Sequence, residues 1–140
     1  MTTFLDVATT LDVYEWPAGG DFRWRWALET TTDPTATSGP AEDVSDVTAV
    51  RMWLQLRVAK GVTPRAPYAF TNSGGQVSLD TSGSPAYLAV TLADADASGA
   101  SPPIPAGDFD VAIYFDRPGT VRDHVAQFVL RRYQGPRPGP

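Results

Sequence analysis

The 140-residue sequence contains no cysteine, one histidine and one lysine, Lys60. Without cysteine there is no disulfide framework and no thiolate chemistry, so stability has to come from a packed core. The single histidine is His124. A nucleophile–His–acid arrangement would need a serine and an acid converging on His124, and no nucleophile-elbow motif is present. His124 therefore reads as a structural or surface residue. Basic excess is lacking too: 11 Lys and Arg stand against 16 Asp and Glu, a net charge of −5, with a pI near 4.6. A protein that wraps nucleic acid needs a basic surface to neutralise phosphates, so nucleic acid is not an expected partner. No apolar run approaches the roughly 20 residues of a membrane-spanning helix. The opening "MTTFLDVATTLD" has neither the basic start nor the apolar core of a secretion signal. No membrane partner is expected, and synthesis in a cytoplasm is.

Long amphipathic helical runs are also missing. What is present is turn-forming residues, 12 Gly and 13 Pro, between short blocks rich in Val, Thr, Trp, Tyr and Phe. Such spacing predicts an all-β sandwich or barrel. The period-two pattern recurs along the chain. "LDVYEWP" (11–17) reads as an edge strand stopped by Pro17. In "GDFRWRWALE" Phe22, Trp24, Trp26 and Leu28 fall on one face, and Arg23 and Arg25 on the other. In "VTAVRMWLQLRV" the set Val50, Met52, Leu54, Leu56 and Val58 alternates with Arg51, Trp53, Gln55 and Arg57. "YAFTNSGGQVSLD" reads as two short strands around the turn 72–75, with Val77 and Leu79 inward. "AYLAVTLA" turns Leu88, Val90 and Leu92 inward, and a helical turn is expected at 94–98. "FDVAIYF" carries Phe109, Val111, Ile113 and Phe115 on one face. "VRDHVAQFVLRRY" closes the set with Ala126, Phe128 and Leu130 inside. The expected fold is a single antiparallel β-sandwich of about seven to eight strands over residues 1–133. The expected core anchors are Phe22, Trp24, Trp26, Leu54, Leu56, Leu88, Val90, Phe109, Val111, Ile113, Phe115 and Phe128. Residues 30–46 read as a long polar loop, functional or mobile, and 134–140 as a Pro/Gly tail.

The order of the blocks resembles the immunoglobulin-like β-sandwich module of tailed-phage virion proteins, as in the N-terminal domain of baseplate upper proteins and related tail and fibre-attachment domains. The matching pieces are Gly20-Asp21-Phe22, Asp46-Val47-Thr48-Ala49, Val90-Thr91-Leu92-Ala93-Asp94 and Ile104-Pro105-Ala106-Gly107-Asp108-Phe109-Asp110, within a span of roughly residues 10–133. The loop 30–46 is longer than in that pattern, and no fibre or coiled coil follows. The resemblance implies a non-enzymatic structural subunit, located in the virion after assembly in a bacterial cytoplasm. It also implies docking on other virion proteins and self-association in a symmetric array.

No cofactor and no metal are expected. The acids Asp94, Asp96, Asp108, Asp110 and Asp116 do not meet the EF-hand spacing and read as a solvated face. Two carboxylates suffice for glycosidase chemistry, but with 16 acids that pattern has no weight. For partner contacts the sequence offers Trp53 with Arg51 and Arg57 on an outward face, Arg23 and Arg25, and the basic end Arg131, Arg132, Tyr133 and Arg137. Aromatics flanked by arginine are what protein interfaces favour. Two alternatives stand beside this reading. One is a carbohydrate-binding module in which Trp53 or Trp16 stacks on a glycan, with Tyr114 a further aromatic of interest. The other is a capsid decoration protein.

Overall fold

The computed structural model of the chain describes residues 13–28, 43–119 and 121–133. Eight strands form: β1 (Val13–Trp16), β2 (Phe22–Ala27), β3 (Ala49–Leu56), β4 (Tyr68–Thr71), β5 (Val77–Asp80), β6 (Tyr87–Leu92), β7 (Gly107–Arg117) and β8 (Val121–Arg132). A five-residue helix, α1 (Asp94–Ser98), lies between β6 and β7. The Asp96 carboxylate reaches back to the Ala93 N–H at 2.8 Å and closes its first turn.

The strands make two sheets, ordered β1-β8-β7-β3-β4 and β2-β6-β5. All pairs are antiparallel except β1 with β8, which are parallel. Strands at opposite ends of the chain are free of the hairpin constraint that forces antiparallel neighbours. In an immunoglobulin-like sandwich, strands A, B, E and D share one sheet and C, F and G the other, with an added C′ strand in the variable type. Here β2, β6 and β5 take the B, E and D places, and β3, β7, β8 and β4 the C, F, G and C′ places. The fold is an all-β, immunoglobulin-like sandwich.

The core follows from alternation. Val50, Met52 and Leu54 of β3, Phe109, Val111, Ile113 and Phe115 of β7, Leu88, Val90 and Leu92 of β6, and Ala126, Phe128 and Leu130 of β8 are all buried between the sheets. Trp16, fully buried, closes one end. No tryptophan of the C-position strand enters the core, because Met52 and Leu54 occupy β3's inner face while Trp53 points outward. With no cysteine pair either, apolar burial carries the stability, at about 25 cal/mol per Å² removed from water.

The sandwich departs from the sequence expectation at four places. The 68–80 segment is not a hairpin: β4 pairs with β3 in one sheet and β5 with β6 in the other. The 72–75 turn is a crossing between sheets. It is anchored where the Val50 N–H donates to Asn72 Oδ1 at 3.1 Å, and it ends on Gly75 in the left-handed region (φ 86°). A bulge in β8 opposite Ile113/Tyr114 inserts Val125, so Val125 and Ala126 are both buried although adjacent. Trp24 shares the inner face of β2 but is 44% exposed, and Trp26 and Leu56 are only partly buried. Among the described residues β2 pairs on one edge only, with β6, and Trp24 is not the core anchor that alternation suggested. Most of the 30–46 loop and all of the 134–140 tail lie outside the described residues.

Candidate interaction surface

The outward side chains of β3, β7 and β8 form one continuous face. Trp53 lies opposite Ala112 on one side and Ala69 on the other. Two alanines leave its indole room to lean diagonally onto Tyr114, at 4.9 Å between ring centroids. Tyr114 lies opposite His124, and their rings stack at 4.8 Å and 23°. The Arg122 guanidinium lies 5.5 Å from the Trp53 ring. The result is an aromatic row across three strands. Trp53 and Tyr114 are half-buried in it and His124 is exposed.

Arginine–aspartate pairs surround the row. Asp116 bridges Arg51 at 2.5 Å and Arg122 at 2.9 Å. The Arg51 guanidinium, then that of Arg122, holds the Asp116 carboxyl below its ordinary value. Arg57 grips Asp110 with two nitrogens, Nη2 at 2.8 Å and Nε at 3.0 Å from Oδ1, and this bond raises the Arg57 pKa. Arg131 Nε donates to Asp108 Oδ1 at 2.9 Å; the pair lowers the pKa of Asp108 and raises that of Arg131. The acids of β7 are thus not a bare charged face. Each is matched by an arginine from a neighbouring strand or loop.

Of the residues expected to bind partners, Arg51, Trp53, Arg57 and Arg131 share this face. Arg23 and Arg25 lie on the outer face of the other sheet. There Arg23 pairs with Asp21 and Arg25 with Asp80, each at 3.1 Å, and Arg25 covers the Tyr87 ring at 4.3 Å. Arg132 is a correction. It points inward at the end of β8 and is 9% exposed. Its guanidinium stands 4.2 Å from the Trp16 ring and donates to Asp94 at 3.0 Å. Tyr133 is tied down as well: its N–H donates to the Trp16 carbonyl and its hydroxyl to Glu15 Oε1 at 3.0 Å. Arg131, Arg132 and Tyr133 therefore belong to the sandwich and its β1 pairing rather than to a frayed basic end. Arg137 lies outside the described residues. Trp16, fully buried, offers no face to a glycan.

Two surface grooves flank α1. One, of about 330 Å³, is lined by Ala97, Ile104, Pro105, Arg132 and Tyr133. The other, of about 390 Å³, is lined by Tyr68, Phe70, Gln76, Asp96 and Ala100. Their charged groups are committed to the fold: Arg132 to Asp94, and Asp96 to Gln76 at 3.0 Å and to Ala93. Among the described residues no group of three His, Asp or Glu side chains could hold a metal ion, and no buried side-chain polar atom lacks a partner.

The aromatic content of the face was legible from Trp53 and Tyr114 at outward positions. The bridge at Asp116 and the Arg132–Trp16–Asp94 cluster were not, because each joins residues far apart in sequence whose pairing depends on register. No family model and no curated protein matches the chain. Solved structures to which it is similar include murine CRIg (7% identity, 89% of this chain and 98% of that one, TM-score 0.36). Another is a structure from work on cell-adhesive interactions of voltage-gated sodium channel β subunits (10%, 92% and 98%, TM-score 0.41). A third is the extracellular domain of the voltage-gated sodium channel β4 subunit in parallel homodimers (11%, 91% and 96%, TM-score 0.35). The likeness is one of fold alone, and the fold assignment rests on the strand order.

Proposed function

We propose that the chain is a non-enzymatic structural subunit of a tailed bacteriophage particle, docking on neighbouring virion proteins through the outer face of its five-stranded sheet. The observation that carries this reading is the Trp53–Tyr114–His124 row framed by arginines. Interface centres favour aromatics and arginine, and the polar rim around them contributes mainly by excluding water. Because Arg51, Arg57, Arg122 and Arg131 already hold aspartates, docking buries these charges in pairs. The resemblance to phage virion modules supports the particle assignment. Its segments sit at element boundaries: Gly20–Phe22 opens β2, 46–49 leads into β3, 90–94 ends β6 and 104–110 opens β7.

Mass spectrometry of purified particles of the virus encoding the chain tests the reading. Finding the chain in stoichiometric amount, with incorporation reduced by Trp53→Ala, supports it. Its absence from the particles overturns it. A saturable change in tryptophan emission with a host-surface glycan, lost in Trp53→Ala, would instead favour carbohydrate recognition.

A further inference from the structure

The outer face of the five-stranded sheet is charge-balanced on a protein that is not. The chain carries a net charge of −5. On this face Arg51, Arg57, Arg122 and Arg131 stand against an equal number of acids. These are Asp108, Asp110 and Asp116 of β7 and Glu15 of β1, which lies beside Arg131 in the register. The acid excess therefore lies elsewhere on the chain. β7 is the middle strand of the five, so the Trp53–Tyr114–His124 row crosses the middle of the sheet. The two ends of the face differ. At one end Arg51 and Arg122 share a single aspartate, Asp116, and among the described residues that cluster has one positive charge in excess. At the other end Asp108 and Asp110 each have an arginine of their own, with Glu15 beside them.

We propose that the occupant of this face is a second copy of the chain, docked face to face about a two-fold axis that runs along the aromatic row. The inference rests on the reading of the row as a docking surface and names its partner. Two copies of an acidic protein repel wherever their acidic surfaces meet. A neutral face with an aromatic centre is where they meet without that cost, whereas a basic partner gains more on the rest of the surface. In a face-to-face pair the two-fold axis lies in the plane of contact, along the strands or across them. An axis along the strands stacks like ends, with Arg51 and Arg122 over the same cluster of the partner copy, and like charges so placed are costly. An axis across the strands lays that positive end over the end that carries Asp108, Asp110 and Glu15. The charges thus select the axis that follows the row. Residues close to such an axis meet their own counterparts, so the Trp53 and Tyr114 rings pack on the same rings of the partner copy. The contact closes at two copies, and the unit delivered to a particle is a dimer.

The chain has no cysteine, so one introduced thiol reports the axis. Ala112→Cys, on β7 between Trp53 and Gln127, is expected to link to itself with a short bismaleimide. Ala89→Cys, between Arg25 and Ser78 on the outer face of the other sheet, is expected not to. If Ala112→Cys fails to fold, Gln127→Cys at the same level of β8 replaces it. Sedimentation should show the unmodified chain in a monomer–dimer equilibrium. Trp53→Ala, its fold checked by circular dichroism, should weaken that equilibrium by about tenfold or more. Added salt should leave it unchanged or tighten it, because screening removes the residual repulsion between two acidic chains. A dimer untouched by Trp53→Ala, one that salt dissociates, or equal linking at Ala89→Cys overturns the proposal. So does a chain that is monomeric at every concentration. In that last case, incorporation into particles that still falls in Trp53→Ala keeps the face as a docking surface for a different protein, and incorporation that does not fall removes both readings.

Discussion

The Arg132 guanidinium lies 4.2 Å from the centre of the Trp16 ring and binds Asp94 at 3.0 Å, joining the ends of β1 and β8 to the start of α1. Asp94 Oδ1 also accepts the Gly19 N–H at 2.9 Å, and the Trp16 indole N–H donates to the Gly20 carbonyl at 2.9 Å. One buried cation thus holds the β1–β2 turn in place. Arg132→Ala is expected to destabilise the protein by about 2–4 kcal/mol, from a desolvated cation–π contact and charged hydrogen bonds. Denaturant unfolding measures it. A change as small as that of an exposed Arg23→Ala would show the cluster to be incidental.

Tryptophans of similar sequence context should differ sharply in cost. Trp16→Ala removes a fully buried side chain and should cost about 3–5 kcal/mol. Trp24→Ala, at a half-open seam, should cost no more than about half of that. The pair of midpoints in one denaturation series decides it.

Gly107 has φ 141°, and a Cβ there would stand 2.9 Å from Leu56 Cδ1. Gly107→Ala is expected to destabilise by about 1–3 kcal/mol through backbone strain and overpacking, whereas Gly83→Ala, with open space around it, should be close to neutral. Thermal melts of the two variants make the comparison.

Acid should loosen the outer face. Asp108 and Asp116 are held below the ordinary value of 3.8 by their arginines. A carboxyl depressed in the folded state contributes stability that is present above its unfolded pKa and lost as pH falls through the folded one. Melting temperature should therefore decline below about pH 4, and Asp116→Asn should flatten that decline while lowering stability near neutrality. A profile equally steep in the variant would remove Asp116 from the account.

Trp53→Ala should leave the fold intact, since the ring lies outside the core, with a stability loss of roughly 1 kcal/mol from its half-buried contacts with Tyr114 and Arg122. Circular dichroism checks the fold, and sedimentation with candidate neighbouring subunits checks the loss of association.

Alternation was enough to orient β3, β6 and β7, because each has neighbours on both edges and a sheet stacked over its inner face, so period two becomes burial everywhere but at Leu56, the last residue of β3. It fell short where coverage is uneven. Among the described residues β2 has a neighbour on one edge, and Trp24 keeps the right face without the burial. β8 carries an extra residue at Val125, which no propensity marks. The tight turn drawn at 72–75 is real as a change of direction, but the chain leaves it in a different sheet, since Val77 and Leu79 find their partners on β6.

The local pattern of the chain set the class and the inner faces: no cysteines, turn residues between short strands, and apolar side chains at period two leave a packed β-sandwich as the way to bury them. It also determined that Trp53 and its arginines point outward. Three-dimensional packing settled which arginine meets which aspartate, that Arg132 turns inward onto Trp16, and that Trp53, Tyr114 and His124 stand in one row. These depend on sheet order and register, which arise from contacts between residues tens of positions apart. No local pattern carries that information.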